Sequence, residues 1–240
     1  MDPSRSGHRT GPYFTIDLHT HTTRGSADSN LAPRELIERA QAIRLDAICI
    51  TEHDNTWDLK ELVSVAAIHG VVCLRGIEVT TELGHVGVFG LDEYVGGIYK
   101  LDQLRKVVDR AGGLMIANHP FRYKLDPRFS FINSDHQTID IEHPERAARL
   151  EIIEACDAIE VLNAACSEEE NLFALKVARA LNKAEVGGSD SHSANSVGVA
   201  TTLFPSRVSS VDDLVAAIRA RATRAGRGLL DGCVKPFDLP

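Results

Sequence analysis

Short apolar runs rich in β-branched residues alternate along most of the chain with stretches whose apolar positions recur at helical spacing. This alternation predicts strands over 13–21, 47–53, 71–80, 85–91, 114–120, 158–164, 185–192 and 197–204. It predicts helices over 33–44, 58–69, 101–111, 144–155, 168–181 and 211–220. Two helix starts are marked: Pro33 falls in a first turn, and Ser167 precedes Glu168-Glu169-Glu170 in the manner of a capping box. Repeated strand–helix units imply parallel strands with helices packed outside, as a doubly wound sheet or a barrel. Two regions break the rhythm. Residues 122–143 are polar and contain Pro127, which predicts a long loop over one face. The tail 223–240 holds three glycines and two prolines and reads as irregular.

A chain of 240 residues is long enough for one sizeable core. The expected organisation is a flexible N-terminus over 1–12, one α/β domain over 13–222 and the tail. A formal charge of -8 with no run of Lys or Arg lacks the electrostatic footprint of a binder of duplex nucleic acid. No apolar stretch near the start resembles a signal peptide and no later run approaches membrane-spanning length, so no membrane partner is expected. The five cysteines are scattered without a CxxC, which fits reduced thiols and a cytoplasmic location, with Cys49 and Cys73 as small core residues. The oligomeric state is left open.

The chemistry gathers where the apolar runs end. Of the ten histidines, His19, His21, His53, His119 and His192 sit at or just past the end of an expected strand, and His85 heads its own. In α/β folds the loops at the C-terminal strand ends carry the ligands and catalytic groups. In Asp17-Leu18-His19-Thr20-His21 the histidines are two residues apart, so on an extended strand both rings leave one face, close enough to share a cation. Asp190 and His192 repeat that spacing, and Pro120 is expected to hold His119 in an extended backbone. Glu52 and Glu78 end two more apolar runs. Imidazole and carboxylate without thiolate suit Zn, Mn or Fe in a catalytic site.

Four ordered motifs, DLHTHTTRGSADS, TEHD, ANHP and GGSDSH, resemble those of the PHP (polymerase and histidinol phosphatase) superfamily over roughly residues 16–204. The resemblance implies a distorted seven-stranded (β/α) barrel of PHP type with a di- or trinuclear metal centre. Carried over by position, it implies His19, His21, Glu78 and Asp190 around a first metal. Glu78 would bridge to a second that also takes His85 and His119, and Asp28, His53 and His192 would hold a third. Arg24-Gly25-Ser26 lengthen the loop before Asp28. Glu52 stands where the family usually has Asp, and is assigned a role in orienting a ligating imidazole.

Three divalent cations against Asp28, Glu78 and Asp190 would leave a surplus of about three positive charges, a field that suits a phosphate dianion. The expected activity is therefore hydrolysis of a small-molecule phosphate ester, of nucleotide or sugar phosphate type, by a hydroxide bridging the metals. Glu78, Asp190 and His192 are the expected catalytic groups, and Arg24 and Arg122 the candidates to bind the phosphate. The alternatives are a metal-dependent hydrolase of a non-phosphate ester or amide, and a non-catalytic metal-binding PHP module. Asp54 is expected to cap the following helix, Trp57 to pack its turn, and His8, His69, His136 and His143 to face solvent or serve structure.

Overall fold

The computed structural model describes residues 12–69, 71–125 and 139–240. Within them the strands are β1 (Phe14–Thr20), β2 (Ala47–Ile50), β3 (Val72–Arg75), β4 (Ile77–Thr81), β5 (Gly84–Phe89), β6 (Leu114–Ala117), β7 (Ala158–Asn163), β8 (Ala184–Gly188), β9 (Thr201–Phe204), β10 (Arg224–Arg227) and β11 (Lys235–Pro236). The helices are α1 (Pro33–Ala42), α2 (Leu59–His69), α3 (Leu101–Ala111), α4 (Glu151–Ala155), α5 (Glu168–Ala180) and α6 (Val211–Arg219). The strands form two mixed sheets, ordered β11-β10-β9-β1-β2-β3 and β4-β5-β6-β7-β8, so the expected α/β class holds. Strands β1, β2 and β3 run parallel in one sheet, as do β6, β7 and β8 in the other. Isolated parallel bridges, Thr20 with Ser191 and His53 with Glu78, link the two sheets.

The expected single strand over 71–80 is two strands divided at Gly76. A Cβ there would meet the Phe89 ring at 2.8 Å and Val88 O at 3.0 Å, so only glycine lets the chain pass from one sheet to the other. The helix expected over 144–155 is also divided: a 3₁₀ turn spans Pro144–Arg149, Leu150 is extended, and α4 follows. The tail differs more. It was expected to be irregular, yet β10 pairs with β9 and β11 with β10, which buries Ala225 and Phe237 completely. The glycine that suggested irregular structure packs closely there: a Cβ at Gly226 would meet the Leu203 side chain at 2.6 Å and force it to shift.

Helices cover the sheets through apolar stripes. Leu101, Leu104 and Val108 of α3 are buried at helical spacing, and Gly112, at φ 69°, ends the helix in the left-handed conformation that glycine adopts without strain. Ser167 accepts from Glu170 N while the Glu170 carboxylate accepts from Ser167 N, as the capping box requires. Leu214, Val215 and Ile218 of α6 pack with Phe14, Ile16, Val186 and Phe204 in a second core. A third joins α1 and α2 to β2 through Leu36, Ile37, Leu62 and Ile48. Each such side chain contributes about 1.5–3 kcal/mol when fully buried. No helix among the described residues is long and apolar enough to cross a membrane. The N-terminal expectation for 1–11 and the loop segment 126–138, with His8 and His136, lie outside the described residues, as does the side chain of His69.

Candidate metal centre

The parallel strands deliver His19 and His21 from the end of β1, His53 from beyond β2, His119 from beyond β6, and Asp190 and His192 from beyond β8, while the β4–β5 pair supplies Glu78 and His85. Five of the imidazoles, His19, His21, His53, His85 and His119, converge on Glu78, which is fully buried. Its Oε1 lies 3.1 Å from His19 Nε2, 3.2 Å from His119 Nε2 and 3.3 Å from His85 Nδ1. Its Oε2 lies 3.3 Å from His21 Nε2 and 3.1 Å from His53 Nδ1. Asp190 Oδ1 is 3.5 Å from His19 Nε2 and 3.3 Å from His21 Nε2. On the outer side, Asp28 Oδ2 is 3.3 Å from the Nε2 atoms of both His53 and His192. All nine proposed ligands are thus brought together.

Partners on the far side of the rings fix which nitrogen is bare. His19 Nδ1 lies 2.9 Å from the Glu160 carboxylate, which only accepts, so Nδ1 carries a proton and Nε2 is the nitrogen whose lone pair serves a cation when the ring is neutral. The Ser26 hydroxyl donates to Glu52 Oε2 at 2.6 Å, which makes it an acceptor toward His21 Nδ1 at 3.1 Å. His21 Nε2 is therefore bare as well. His192 Nδ1 donates to the Asp190 carbonyl at 2.9 Å, leaving its Nε2 toward Asp28.

Glu52 acts on an imidazole as expected, but through Ser26. It is fully buried, accepts from Thr22 N, Thr22 Oγ1 and Trp57 Nε1 besides Ser26, and fills the space above Gly25, where a Cβ would meet it at 2.6 Å. Trp57 packs this turn, with the Arg24 guanidinium 5.5 Å from its ring centre.

Electrostatics follow from crowding acids against imidazoles. Burial disfavours the charge on Glu78, yet the facing His19, His119 and His21 outweigh it and hold the carboxyl well below the usual range. Asp190 is likewise depressed despite burial, by His19, His21 and His119. Burial opposes protonation of His19, but Glu78, Asp190 and Glu160 raise it well above an ordinary histidine. The site is built to surround positive charge.

The chemistry of the donors supports cations as that charge. His19 Nε2, His21 Nε2, His85 Nδ1 and Glu78 Oε2 are buried without a hydrogen-bond partner, an arrangement that costs about 1–3 kcal/mol per group unless something occupies the space between them. Three groups of donor atoms each lie within 4.8 Å of one another: His19, His21, Glu78 and Asp190; His53, Glu78 and His85; His21, His53 and His192. The donor-to-donor separations match the edges of a polyhedron whose corners stand about 2.0–2.2 Å from a central ion.

Two local expectations need correction. His119 is not extended: its φ is 29°, held by its N–H donating to Glu160 Oε2 at 2.8 Å, a tertiary bond that outweighs the preference set by Pro120. Asp54, at φ 49°, accepts from Thr80 N and does not cap α2; Asp58 does, accepting from Lys60 N and Glu61 N. His143 is exposed beside Glu145, as expected. The two arginines differ in setting. Arg122 Nη2 donates to Asp190 Oδ2 and, at 2.8 Å, to Asn163 Oδ1, whereas Arg24 makes an exposed two-pronged pair with Glu61.

The sequence reading missed Ser26, Asp17, Asn118, Glu160 and Asn163. Asp17 accepts from the backbone of His19, Ser189 and Gly198, tying β1 to the loop after β8, and burial pushes its carboxyl up to about 6 against those bonds. Asn118 donates to Glu78 Oε1 at 2.9 Å, in space that a side chain at Gly87 would fill.

The sequence matches the PHP domain over residues 17–167 and the PHP-associated segment, PHP_C, over 168–223. The chain belongs to the PHP family. Among relatives, a 3',5'-nucleoside bisphosphate phosphatase from Chromobacterium violaceum is 37% identical over 81 residues, 32% of this chain and 28% of the relative. A PolC-type DNA polymerase III from Oceanobacillus iheyensis is 35% identical over 63 residues, 26% of this chain and 4% of the polymerase. The PHP chain thus matches less than a third of either relative's length. Among solved structures, a two-domain Bacteroides vulgatus protein containing a predicted PHP-like metal-dependent phosphoesterase superposes with a TM-score of 0.62 at 19% identity. That match covers 95% of this chain and 73% of that one.

Proposed function

We propose that this PHP chain is a metal-dependent phosphoesterase acting on a small phosphorylated molecule of nucleotide or sugar phosphate type. The observation that carries the reading is the set of buried, unpartnered imidazole and carboxylate atoms around Glu78 in a chain of the PHP family. The bisphosphate phosphatase among its relatives favours a nucleotide-like substrate. The PolC-type relative raises nucleic acid as a second substrate class, but a net charge of -8 and no basic run favour the small molecule.

His19, His21, Glu78 and Asp190 would hold a first divalent cation. Glu78 would bridge to a second with His85 and His119, and Asp28, His53 and His192 would hold a third at the more exposed rim. Two or three Zn, Mn or Fe ions there would supply Lewis-acid stabilisation of phosphoryl charge and an acidified water for in-line attack. Glu78 and Asp190 would hold the positive charge in place, and His192, its Nδ1–H fixed on the Asp190 carbonyl, would present Nε2 to the rim cation and so take part by holding that ion beside the leaving group. Arg122, already braced on Asp190 and Asn163, offers its remaining N–H groups to a phosphate oxygen. Arg24 would reach the same anion by exchanging its exposed partner Glu61.

Closure of the two sheets on each other would make this the distorted seven-stranded PHP barrel and one domain; the bridges Thr20–Ser191 and His53–Glu78 between the sheets support it.

The test is hydrolysis of a panel of phosphomonoesters and phosphodiesters by protein loaded with Mn, Zn or Fe, beside chelated protein and His19→Ala. Turnover is expected only in the loaded wild type. No turnover of any phosphoester by loaded protein overturns the reading; cleavage of matched carboxylic esters or amides would then favour the second hydrolase. Failure to retain about one equivalent of metal would favour a non-catalytic module.

A further inference from the structure

We infer that Glu160 and Asn163, both on β7, form a positioning pair that couples the ligating imidazoles to the phosphate-binding arginine. The inference rests on the phosphoesterase reading and adds two residues to it. Glu160 is 3% exposed and Asn163 is fully buried. A carboxylate in the middle of a buried strand is costly unless its oxygens are paired, and here every oxygen is. Glu160 Oε1 meets His19 Nδ1 at 2.9 Å. Its Oε2 accepts from His119 N at 2.8 Å and from Asn163 Nδ2 at 3.0 Å. One carboxylate therefore sets the tautomer of a ligand on β1 and fixes the left-handed backbone of a ligand after β6.

Asn163 has no freedom to turn. Its Nδ2 faces Glu160, so its Oδ1 is the acceptor for Ala165 N at 2.9 Å and Arg122 Nη2 at 2.8 Å. Its own backbone is clamped at both ends by the Asn171 side chain, at 2.9 and 3.1 Å. The fold reserves room for the pair, since a Cβ at Gly188 would stand 2.8 Å from Glu160 Oε1. The two arms differ in their main holds. Glu160 holds the imidazole side that would bind metal; Asn163 holds Arg122, which would bind the anion, and touches the metal side only through its bond to Glu160 and a long 3.5 Å contact with Asp190 Oδ2.

That division predicts separable losses. In Glu160→Gln a donor meets a donor whichever way the new amide turns: against His19 Nδ1–H, or against His119 N–H and the Asn163 amide. The relief is to move the His19 proton to Nε2, which removes a ligating lone pair. Outer-shell changes of this kind weaken metal binding about 10–100-fold. Asn163→Ala leaves His19 paired with Glu160 but removes one of the two braces on Arg122, leaving only that on Asp190.

The experiment is calorimetric titration of metal-free protein with Zn²⁺ or Mn²⁺, followed by inhibition of the loaded protein by inorganic phosphate, with KM and kcat measured on a phosphoester it cleaves. Expected for Glu160→Gln is metal binding about 10–100-fold weaker with an unchanged circular dichroism spectrum. Expected for Asn163→Ala is phosphate inhibition and KM about tenfold weaker, with metal affinity within about threefold of wild type and kcat little changed. Wild-type metal affinity in Glu160→Gln overturns the inference, and so does equal weakening of metal and phosphate in Asn163→Ala. If Glu160→Gln does not fold, Asn163→Ala decides by its phosphate-to-metal split. Wild-type protein that takes up no metal sinks the phosphoesterase reading and this inference together; metal uptake with unaffected variants sinks this inference alone.

Discussion

Replacing Glu52 by alanine tests the claim that the site is held from behind by a buried acceptor. Glu52 accepts from Thr22 N at 3.0 Å, Ser26 Oγ at 2.6 Å, Trp57 Nε1 at 2.9 Å and the Thr22 hydroxyl. In Glu52→Ala the two hydroxyls rotate to other acceptors, but the Thr22 and Trp57 N–H groups stay buried without one. Each orphan costs about 1–3 kcal/mol, and relief of the buried carboxylate offsets part of the sum, leaving a net loss of about 2–5 kcal/mol. At about 2–4 °C per kcal/mol for a chain of this size, the melting temperature should fall by about 10 °C. The freed Ser26 hydroxyl would also donate to His21 Nδ1 and shift the proton to Nε2, so metal affinity should fall with stability. The assay is thermal unfolding of chelated protein followed by circular dichroism, repeated after adding metal. Glu61→Ala is the control, because its exposed pair with Arg24 is worth less than about 1 kcal/mol. A chelated Glu52→Ala protein melting within about 2 °C of wild type would refute the reasoning.

Other consequences follow from the same geometry. Gly188→Ala would bring a methyl to 2.3 Å from His19 Cβ and 3.0 Å from His19 N, so it should abolish high-affinity metal binding; titration calorimetry showing wild-type affinity would contradict this. Metal at about 100 times its dissociation constant should stabilise the chain by about 2.7 kcal/mol, seen as a raised melting temperature that chelation reverses. Imidazoles bind metal only when neutral, and Glu78 holds His19 and His53 above the ordinary histidine value, so metal affinity should already fall as pH drops into the histidine range from above and keep falling below it; a flat profile from pH 8 to 5 would exclude histidine ligation. Arg122→Ala should raise KM for a phosphoester far more than Arg24→Ala, whose guanidinium already has an exposed carboxylate partner; equal effects in steady-state kinetics would reverse that ranking.

The candidate centre was legible because groups that could hold a metal gather where loops leave the strands, and a histidine or carboxylate ending an apolar run is visible without coordinates. His19-Thr20-His21 and Asp190-Ser191-His192 are the clearest cases. What held them in place was harder to read. Glu160 and Asn163 interrupt the otherwise apolar run from Ala158, and a carboxylate inside a strand that is buried throughout is the available signal for a supporting group. The burial of that strand, though, is settled by α5 and its neighbouring strands, not by its own spacing. Local rules failed where long-range contacts set the backbone. Pro120 argues for an extended His119, yet the Glu160 carboxylate draws its N–H into a left-handed turn. Gly226 reads as a breaker, yet it lies in a strand packed so closely on Leu203 that a Cβ would displace that side chain.

Anomalous diffraction from a crystal of the metal-loaded protein grown with inorganic phosphate tests the central claim most directly. The account predicts transition-metal density between the Nε2 atoms of His19 and His21 and the carboxylates of Glu78 and Asp190, with phosphate oxygens beside it and Arg122 turned to meet them. A cluster empty of metal at millimolar concentrations, with His19 and His21 instead bonded to the two carboxylates, would contradict it.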